Sequence, residues 1–393
     1  MLRSLVRSRS CLSTLQASRR GVATLQSSLL TVETTADVKV KPELEGIAFG
    51  QNFSDHMLEV EWDQETGWGA PAIVPYHNLS LDPAASVLHY GLEVFEGMKA
   101  YKDAEGRVRM YRPDRNMRRM NNSAERLSLP QFDGAEWVEC MKELLKVEES
   151  WVPELEGYSL YLRPTLISTH SFVGIAPPAK CLLYVICSPV GPYFAGGFNA
   201  VKLLATTEYT RAWPGGTGAA KCGGNYASGI KPQKEATALG YSQNLWLFRN
   251  DEGREEVTEV GSMNQFFLWK TKAGEKELIT APLDDGTILP GVTRESIIDL
   301  CRAKGITVTE RKYYMDEIVE ASDEGRIIES FGAGTACVVC PVREIHYNGQ
   351  DIQIPLDPED SEGQMGPLTK ELFEEITDIH YGRSDSEWSV LVE

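Results

Sequence analysis

The chain has 393 residues, 42% hydrophobic and 24% charged, the balance of an ordinary globular protein and unlike the compositions of disordered or membrane chains. A formal net charge of -18 argues against a general nucleic-acid binder, because phosphate backbones reward clustered Lys and Arg. Eight cysteines are too few and too scattered for a disulfide scaffold at this length, so they read as mostly reduced thiols. At roughly 150 residues per domain the length predicts two domains.

Residues 1–32 depart from the acidic character of the rest. They carry Arg3, Arg7, Arg9, Arg19 and Arg20, many serines, and no Asp or Glu before Glu33. That is the composition of a mitochondrial transit peptide, and it predicts the mitochondrial matrix. Arginines interrupt every apolar run that could serve a secretory signal. Pro42 to Trp68 is a strand-like entry ending in the turn Gly67-Trp68-Gly69, and Leu88 to Lys99 reads as a turn leading into a mixed strand. From Pro113 to Leu127, Met117, Met120, Ala124 and Leu127 recur at helical spacing, with Arg119 beside the stripe as a snorkelling surface residue. Asp133 and Glu136 form a capping-box pattern before an amphipathic helix that ends ahead of Pro153.

Tyr158 to Ile167 alternates as a strand and puts Tyr161 and Arg163 on one face. Cys181 to Cys187 is the longest convincing apolar run, strand-sized and far short of a membrane span. Pro and Gly then concentrate between Ser188 and Gly197, which predicts the domain boundary there. The expected organisation is a leader 1–32, a first domain 33–188, a linker 189–199 and a second domain 200–393. In the second half, Leu245 to Phe248 and Phe266 to Trp269 read as strands, and Thr293 to Lys304 as a helix capped by Gly305. Leu368, Leu372, Ile376 and Ile379 form a last helical stripe closed by Gly382.

The most informative stretch is Gly215 to Tyr226, with five glycines in twelve residues around Lys221. So many glycines specify a tight loop, and the lysine between two glycine pairs is a presented side chain. The phosphate motif G-x-x-x-x-G-K-[ST] fails at Ala220 and Cys222, and G-x-G-x-x-G fails where Lys221 replaces its last glycine. A primary amine in such a loop can act as a nucleophile toward an aldehyde once its pKa is lowered. The six histidines make no metal pattern, and Cys337 with Cys340 lacks the second pair of a zinc site, so no metal is expected.

Read with Thr-Glu-Val-Gly-Ser-Met-Asn (258–264), Leu-Pro-Gly-Val-Thr-Arg (289–294) and Phe-Gly-Ala-Gly-Thr-Ala (331–336), the lysine loop closely resembles the branched-chain amino-acid aminotransferases of mitochondrial type. The resemblance implies an α+β, two-domain fold-type IV architecture, with a smaller α/β N-terminal domain and a larger pseudo-barrel C-terminal domain. It implies pyridoxal 5'-phosphate as cofactor, a homodimer, and exchange of amino groups between leucine, isoleucine or valine and 2-oxoglutarate. By the same resemblance Lys221 forms the Schiff base, Glu259 partners the pyridine nitrogen, and Tyr226 bonds the phenolate oxygen. Arg119, Val292, Thr293 and Thr335 hold the phosphate, where a helix N-terminus independently favours an anion.

Phe49, Tyr90, Tyr161, Ile175 and Tyr193 correspond to substrate-pocket positions. Arg163 corresponds to the anchor for a distant carboxylate, and Tyr161 with the Thr335-Ala336 backbone to that for the α-carboxylate. A reversible redox pair is expected at Cys337 and Cys340. The alternatives are another enzyme of the same fold, a D-amino-acid aminotransferase or aminodeoxychorismate lyase, and a thiol-redox interaction protein built on Cys337-Val338-Val339-Cys340.

Overall fold

The computed structural model describes residues 23–192, 199–359 and 364–393. Two sheets organise them. The first runs in the order Thr31–Val32, Ala72–Pro75, His56–Asp63, Lys180–Val190, Ser159–Ser168, Met98–Lys102, Val108–Tyr111 and Ser389–Leu391, with Glu93–Phe95 also paired to Ser159–Ser168. Its core is packed by the helices Pro113–Arg126 and Gly134–Val147. Met117, Met120 and Ala124 are buried as their spacing predicts, and so is Arg119, which turns inward to an ion pair. Asp133 caps the second of these helices by accepting from the N–H groups of Ala135 and Glu136. The Glu136 carboxylate accepts instead from Ser27 N and Oγ, both at 2.6 Å.

That contact bears on the N-terminal leader. Leu25 is buried in the first core, Ser27 is bound to Glu136, and Thr31–Val32 adds a parallel strand to Ala72–Ile73. Residues 23–32 are therefore part of the first sheet's edge, although composition groups them with the basic leader. Residues 1–22 lie outside the described residues.

The second sheet closes on itself. Glu255–Val260, Gln243–Arg249, Val201–Thr206, Val338–Tyr347, Ile327–Gly334 and Met263–Lys270 are successively paired, and Met263–Lys270 returns to pair with Glu255–Val260. Side-chain alternation explains the unbroken apolar run in Met263–Lys270. Phe267 and Trp269 enter one core with the helix Met315–Asp323, while Phe266 and Leu268 enter another with the helices Val292–Ala303 and Pro367–His380. The helix Val292–Ala303 ends in a Schellman motif: Gly305, at φ 75°, donates to Arg302 O, and Ile306 donates to Cys301 O.

Two stretches run differently from the sequence pattern. The strand from Lys180 continues to Val190, because Ser188, Pro189 and Val190 still pair with Tyr161, Leu160 and Ser159. The chain's end also returns to the first sheet, where Ser389–Leu391 pairs with Val108–Tyr111. Of the expected linker, residues 193–198 lie outside the described residues, and Tyr193 with them.

Candidate functional site

A cavity of about 670 Å³ opens between the two sheets, within the range of small-molecule sites. The first sheet supplies one wall. Register places Phe95 opposite Thr165 and Lys99 opposite Tyr161, so Phe95, Lys99, Tyr161 and Arg163 share the face that looks into the cavity. Gly97 is fixed as glycine by this arrangement, since a Cβ there would stand 1.9 Å from Tyr161 Oη.

The second sheet and its loops supply Asn264, Leu289, Gly291 to Thr293, and Ala333 to Ala336. Val292 opens a twelve-residue helix whose N-cap, Gly291, makes no side-chain capping bond. The first-turn N–H groups thus face the cavity beside Arg119, as an anion site requires. A Cβ at Gly291 would meet Asn264 Oδ1 at 2.0 Å, so the close approach of this turn to the wall depends on glycine.

Lys221 is held between these walls. Its N–H donates to Ser123 Oγ at 2.8 Å, its C=O accepts from Phe95 N at 3.0 Å, and Cys222 bridges Val94. The amine donates to Tyr226 Oη at 2.9 Å and lies 4.9 Å from the Phe95 ring centroid. Desolvation, reinforced by the Arg119 and Arg163 cations, lowers its pKa to about 8. At pH 7.5 about a quarter of such amines carry no proton, against roughly one in a thousand for an ordinary lysine. Burial raises the Tyr226 phenol, which stays protonated across the neutral range.

Four cations, Lys99, Arg119, Arg163 and Lys221, line the cavity, and among the described residues no carboxylate does. In a chain of net charge -18 this is a local reversal of sign, and it suits a ligand with several anionic groups. Arg163 Nη2 donates to Tyr161 Oη at 3.1 Å, and its guanidinium carbon stands 4.9 Å from the Phe95 centroid. Its buried Nε has no partner among the described residues.

Lys99 went unread in the sequence. Its Nζ donates to Ala336 O at 2.8 Å, bracing the Thr335-Ala336 turn, and desolvation lowers its pKa to about 8. The signal was alternation with Gly97 and Phe95 across two short strands, Glu93–Phe95 and Met98–Lys102, which becomes legible only once their shared pairing partner is known. Glu96 and Asn264 were missed for the same reason.

Glu259 lies behind the wall formed by Asn264 and Leu289. Its Oε2 is 2.7 Å from Arg211 Nε, and its Oε1 accepts from Asn264 Nδ2 at 3.0 Å and Leu289 N at 2.8 Å. Burial raises its pKa, opposed by Arg211 and the Leu289 N–H. Phe49 lines the cavity and meets Tyr161 edge-on at 5.0 Å. Tyr90 and Ile175 do not line it: they are exposed, with Leu88, Phe172 and Val173, on a separate face where Tyr90 Oη donates to Val173 O. Cys337 and Cys340 are buried free thiols in the second sheet's core. Desolvation pushes Cys337 up to about 12 and Cys340 higher still.

Residues 93–345 match the amino-transferase class IV family. The chain is 52% identical over 348 residues to the branched-chain-amino-acid aminotransferase of Dictyostelium discoideum, covering 88% of this chain and 90% of that one. It is 49% identical over 379 residues to the mitochondrial branched-chain-amino-acid aminotransferase of Schizosaccharomyces pombe, covering 95% and 87%. The chain belongs to the branched-chain-amino-acid aminotransferases. Among solved structures, the Escherichia coli enzyme superposes with a TM-score of 0.66 at 26% identity, covering 85% of this chain and 99% of that one. The Thermobaculum terrenum enzyme in its PLP form superposes at 0.65 and 21%, covering 87% and 100%, a likeness of fold. The architecture is thus the mixed helix-and-sheet, barrel-containing fold-type IV arrangement that the resemblance implied, and the protein is an aminotransferase. Its relatives include both mitochondrial and cytosolic enzymes.

Proposed function

We propose that the chain reversibly transfers the amino group of L-leucine, L-isoleucine or L-valine to 2-oxoglutarate, with pyridoxal 5'-phosphate as cofactor. The observation that carries this reading is a lysine amine near pKa 8 in a cavity lined by four cations, beside an uncapped helix N-terminus. When bound, the cofactor supplies an electron sink that makes the substrate α-proton removable.

Arg119, the Val292 and Thr293 end of the helix, and Thr335 would hold its phosphate, with Glu259 as partner for the ring nitrogen and Tyr226 for the phenolate oxygen. Lys221 would supply the amine for the aldehyde and, when free, would carry the proton between the substrate Cα and C4' of the cofactor. Tyr161 and the Thr335-Ala336 backbone receive the α-carboxylate. The Lys99 bond to Ala336 keeps that turn in place before substrate arrives. Phe49 and Phe95 offer the aliphatic side chain an apolar wall, and Arg163 the second carboxylate of glutamate.

Support for a homodimer comes from the exposed face of Leu88, Tyr90, Phe172, Val173 and Ile175, an apolar patch that a second copy would cover. Tyr90 and Ile175 would then serve the pocket of the other copy. The two-domain division follows the two sheets in this reading, except that residues 23–32 and Ser389–Leu391 join the first. A mitochondrial leader ending before Ala23 agrees with the integration of residues 23–32 into the first sheet, because cleavage at 32 would remove buried Leu25 and the Ser27 bonds. The N-terminal sequence of the mature protein decides this, and a start after Leu25 would count against it.

Lys221→Ala is expected to abolish transamination and the visible absorbance of the purified protein; an active, coloured variant would reject the function. Arg163→Ala is expected to raise KM for glutamate roughly tenfold more than KM for leucine, since only glutamate brings a second carboxylate to the guanidinium. Equal changes would remove Arg163 from that role. Sedimentation is expected to give a dimer, and a monomer at micromolar concentration would leave the apolar face without its occupant.

The Cys337 and Cys340 pair would act as a redox brake by straining the adjoining Thr335-Ala336 turn when oxidised. Mild peroxide should then inactivate wild type reversibly by dithiothreitol and spare the Cys337→Ser, Cys340→Ser double variant. Equal loss in both would leave the pair as core packing.

A further inference from the structure

Glu96 is fully buried, and its carboxylate is committed to the residue assigned to the phosphate. Arg119 Nε donates to Glu96 Oε1 and Arg119 Nη2 to Glu96 Oε2, each at 2.7 Å, a bidentate pair. Asn116 Nδ2 adds a bond to Oε2 at 2.8 Å, and Gly97 N lies 3.2 Å from the same oxygen. Arg119 Nη1 donates to Pro290 O at 3.2 Å, just before the uncapped helix. Its remaining N–H groups are free to face the cavity, which Arg119 lines and Glu96 does not.

An isolated guanidinium at this depth would be costly, and losing one partner of a buried pair strands the other. The carboxylate therefore satisfies Arg119 when no anion is in the cavity. We propose that Glu96 is a positioning residue, the resident counter-ion that keeps Arg119 in place and the anion site formed before any ligand enters. The reading of that anion as the cofactor phosphate rests on the function proposed above. The same carboxylate also acts electrostatically on the lysine. Lys221 is surrounded by the Arg119 and Arg163 cations and by Glu96, Tyr161 and Tyr226; the cations lower its proton affinity and Glu96 raises it. Removing the charge at 96 therefore makes the amine easier to deprotonate.

The test compares wild type, Glu96→Gln and the double variant Glu96→Gln, Arg119→Met, each as full chain with the cofactor bound, removed, and removed with inorganic phosphate added. Glu96→Gln is expected to lower the melting temperature of the cofactor-free protein by on the order of 5 °C. Cofactor or phosphate should recover about half of that loss or more, because an entering anion becomes the sole counter-ion of Arg119. The pH midpoint of the visible band, which reads the proton on the nitrogen that Lys221 contributes to the bound cofactor, should fall by roughly half a unit or more, because loss of a nearby negative charge disfavours that proton whether the nitrogen is free or bonded.

In the double variant the cofactor-free protein should return toward wild-type stability, while the added stabilisation by phosphate disappears. Equal losses with and without anion, together with an unmoved pH midpoint, would reduce Glu96 to a packing residue and overturn the proposal. A double variant as unstable as the single one would overturn it too, since Glu96 would then act through something other than Arg119. A wild type without a visible band would reject the cofactor reading alone, and the inorganic-phosphate comparison would still decide the role of Glu96.

Discussion

The site depends on how the backbone of Lys221 is pinned. Ser123 on the helix Pro113–Arg126 accepts its N–H, and Phe95 of the first sheet donates to its C=O. The glycine-rich loop is therefore stitched to the first layer on both sides of the lysine, leaving the side chain one direction to take. The glycines on either side serve this close approach. A Cβ at Gly218 would meet Ala212 Cβ and Gly286 O at 2.6 Å, and one at Gly223 would stand 1.9 Å from Glu93 Oε1. The lysine is precise because its loop is crowded, and the crowding is the source of the desolvation that lowers its pKa.

Electrostatics follows from that geometry. Desolvation penalises every charge near the cavity, and the structure meets the penalty differently at each. Arg119 is paired with Glu96, Lys99 is bonded to a backbone carbonyl and brought down to about 8, and Arg163 rests against the faces of Phe95 and Tyr161. Carboxylates stay one layer back, at Glu96 and Glu259, each held by an arginine. The result is a positive cavity inside an acidic molecule, with no carboxylate among the described residues on its wall.

Much of this was legible in the sequence where local signals suffice. The cap at Asp133, the Gly305 terminus, the burial of Met117 and Met120, and the lysine loop all rest on spacing within one element. The failures share a cause, which is partnership across distance. Arg119 read as a surface residue because its partner is 23 positions away, in the link between two strands. Leader residues 23–32 looked like the arginine-rich segment before them because their packing partners, Glu136 and the strand Ala72–Pro75, lie far along the chain. The short strand at Ser389–Leu391 carries no periodicity of its own and is defined by the edge it meets.

On the proposed activity, one pocket must accept an aliphatic side chain and a carboxylate in alternate half-reactions. Arg163 offers a physical account. With an aliphatic group present, a bare guanidinium facing it would cost several kcal/mol of unsatisfied charge. Here the cation already lies about 5 Å from two aromatic rings and bonds Tyr161 Oη, so its charge is partly met without a carboxylate. Its buried Nε has no partner among the described residues, so the resident contacts do not saturate the cation. A stronger resident anion at Arg163 would exclude the dicarboxylate. The aromatic contacts are weak enough to coexist with either ligand, and that intermediate strength is what dual recognition requires.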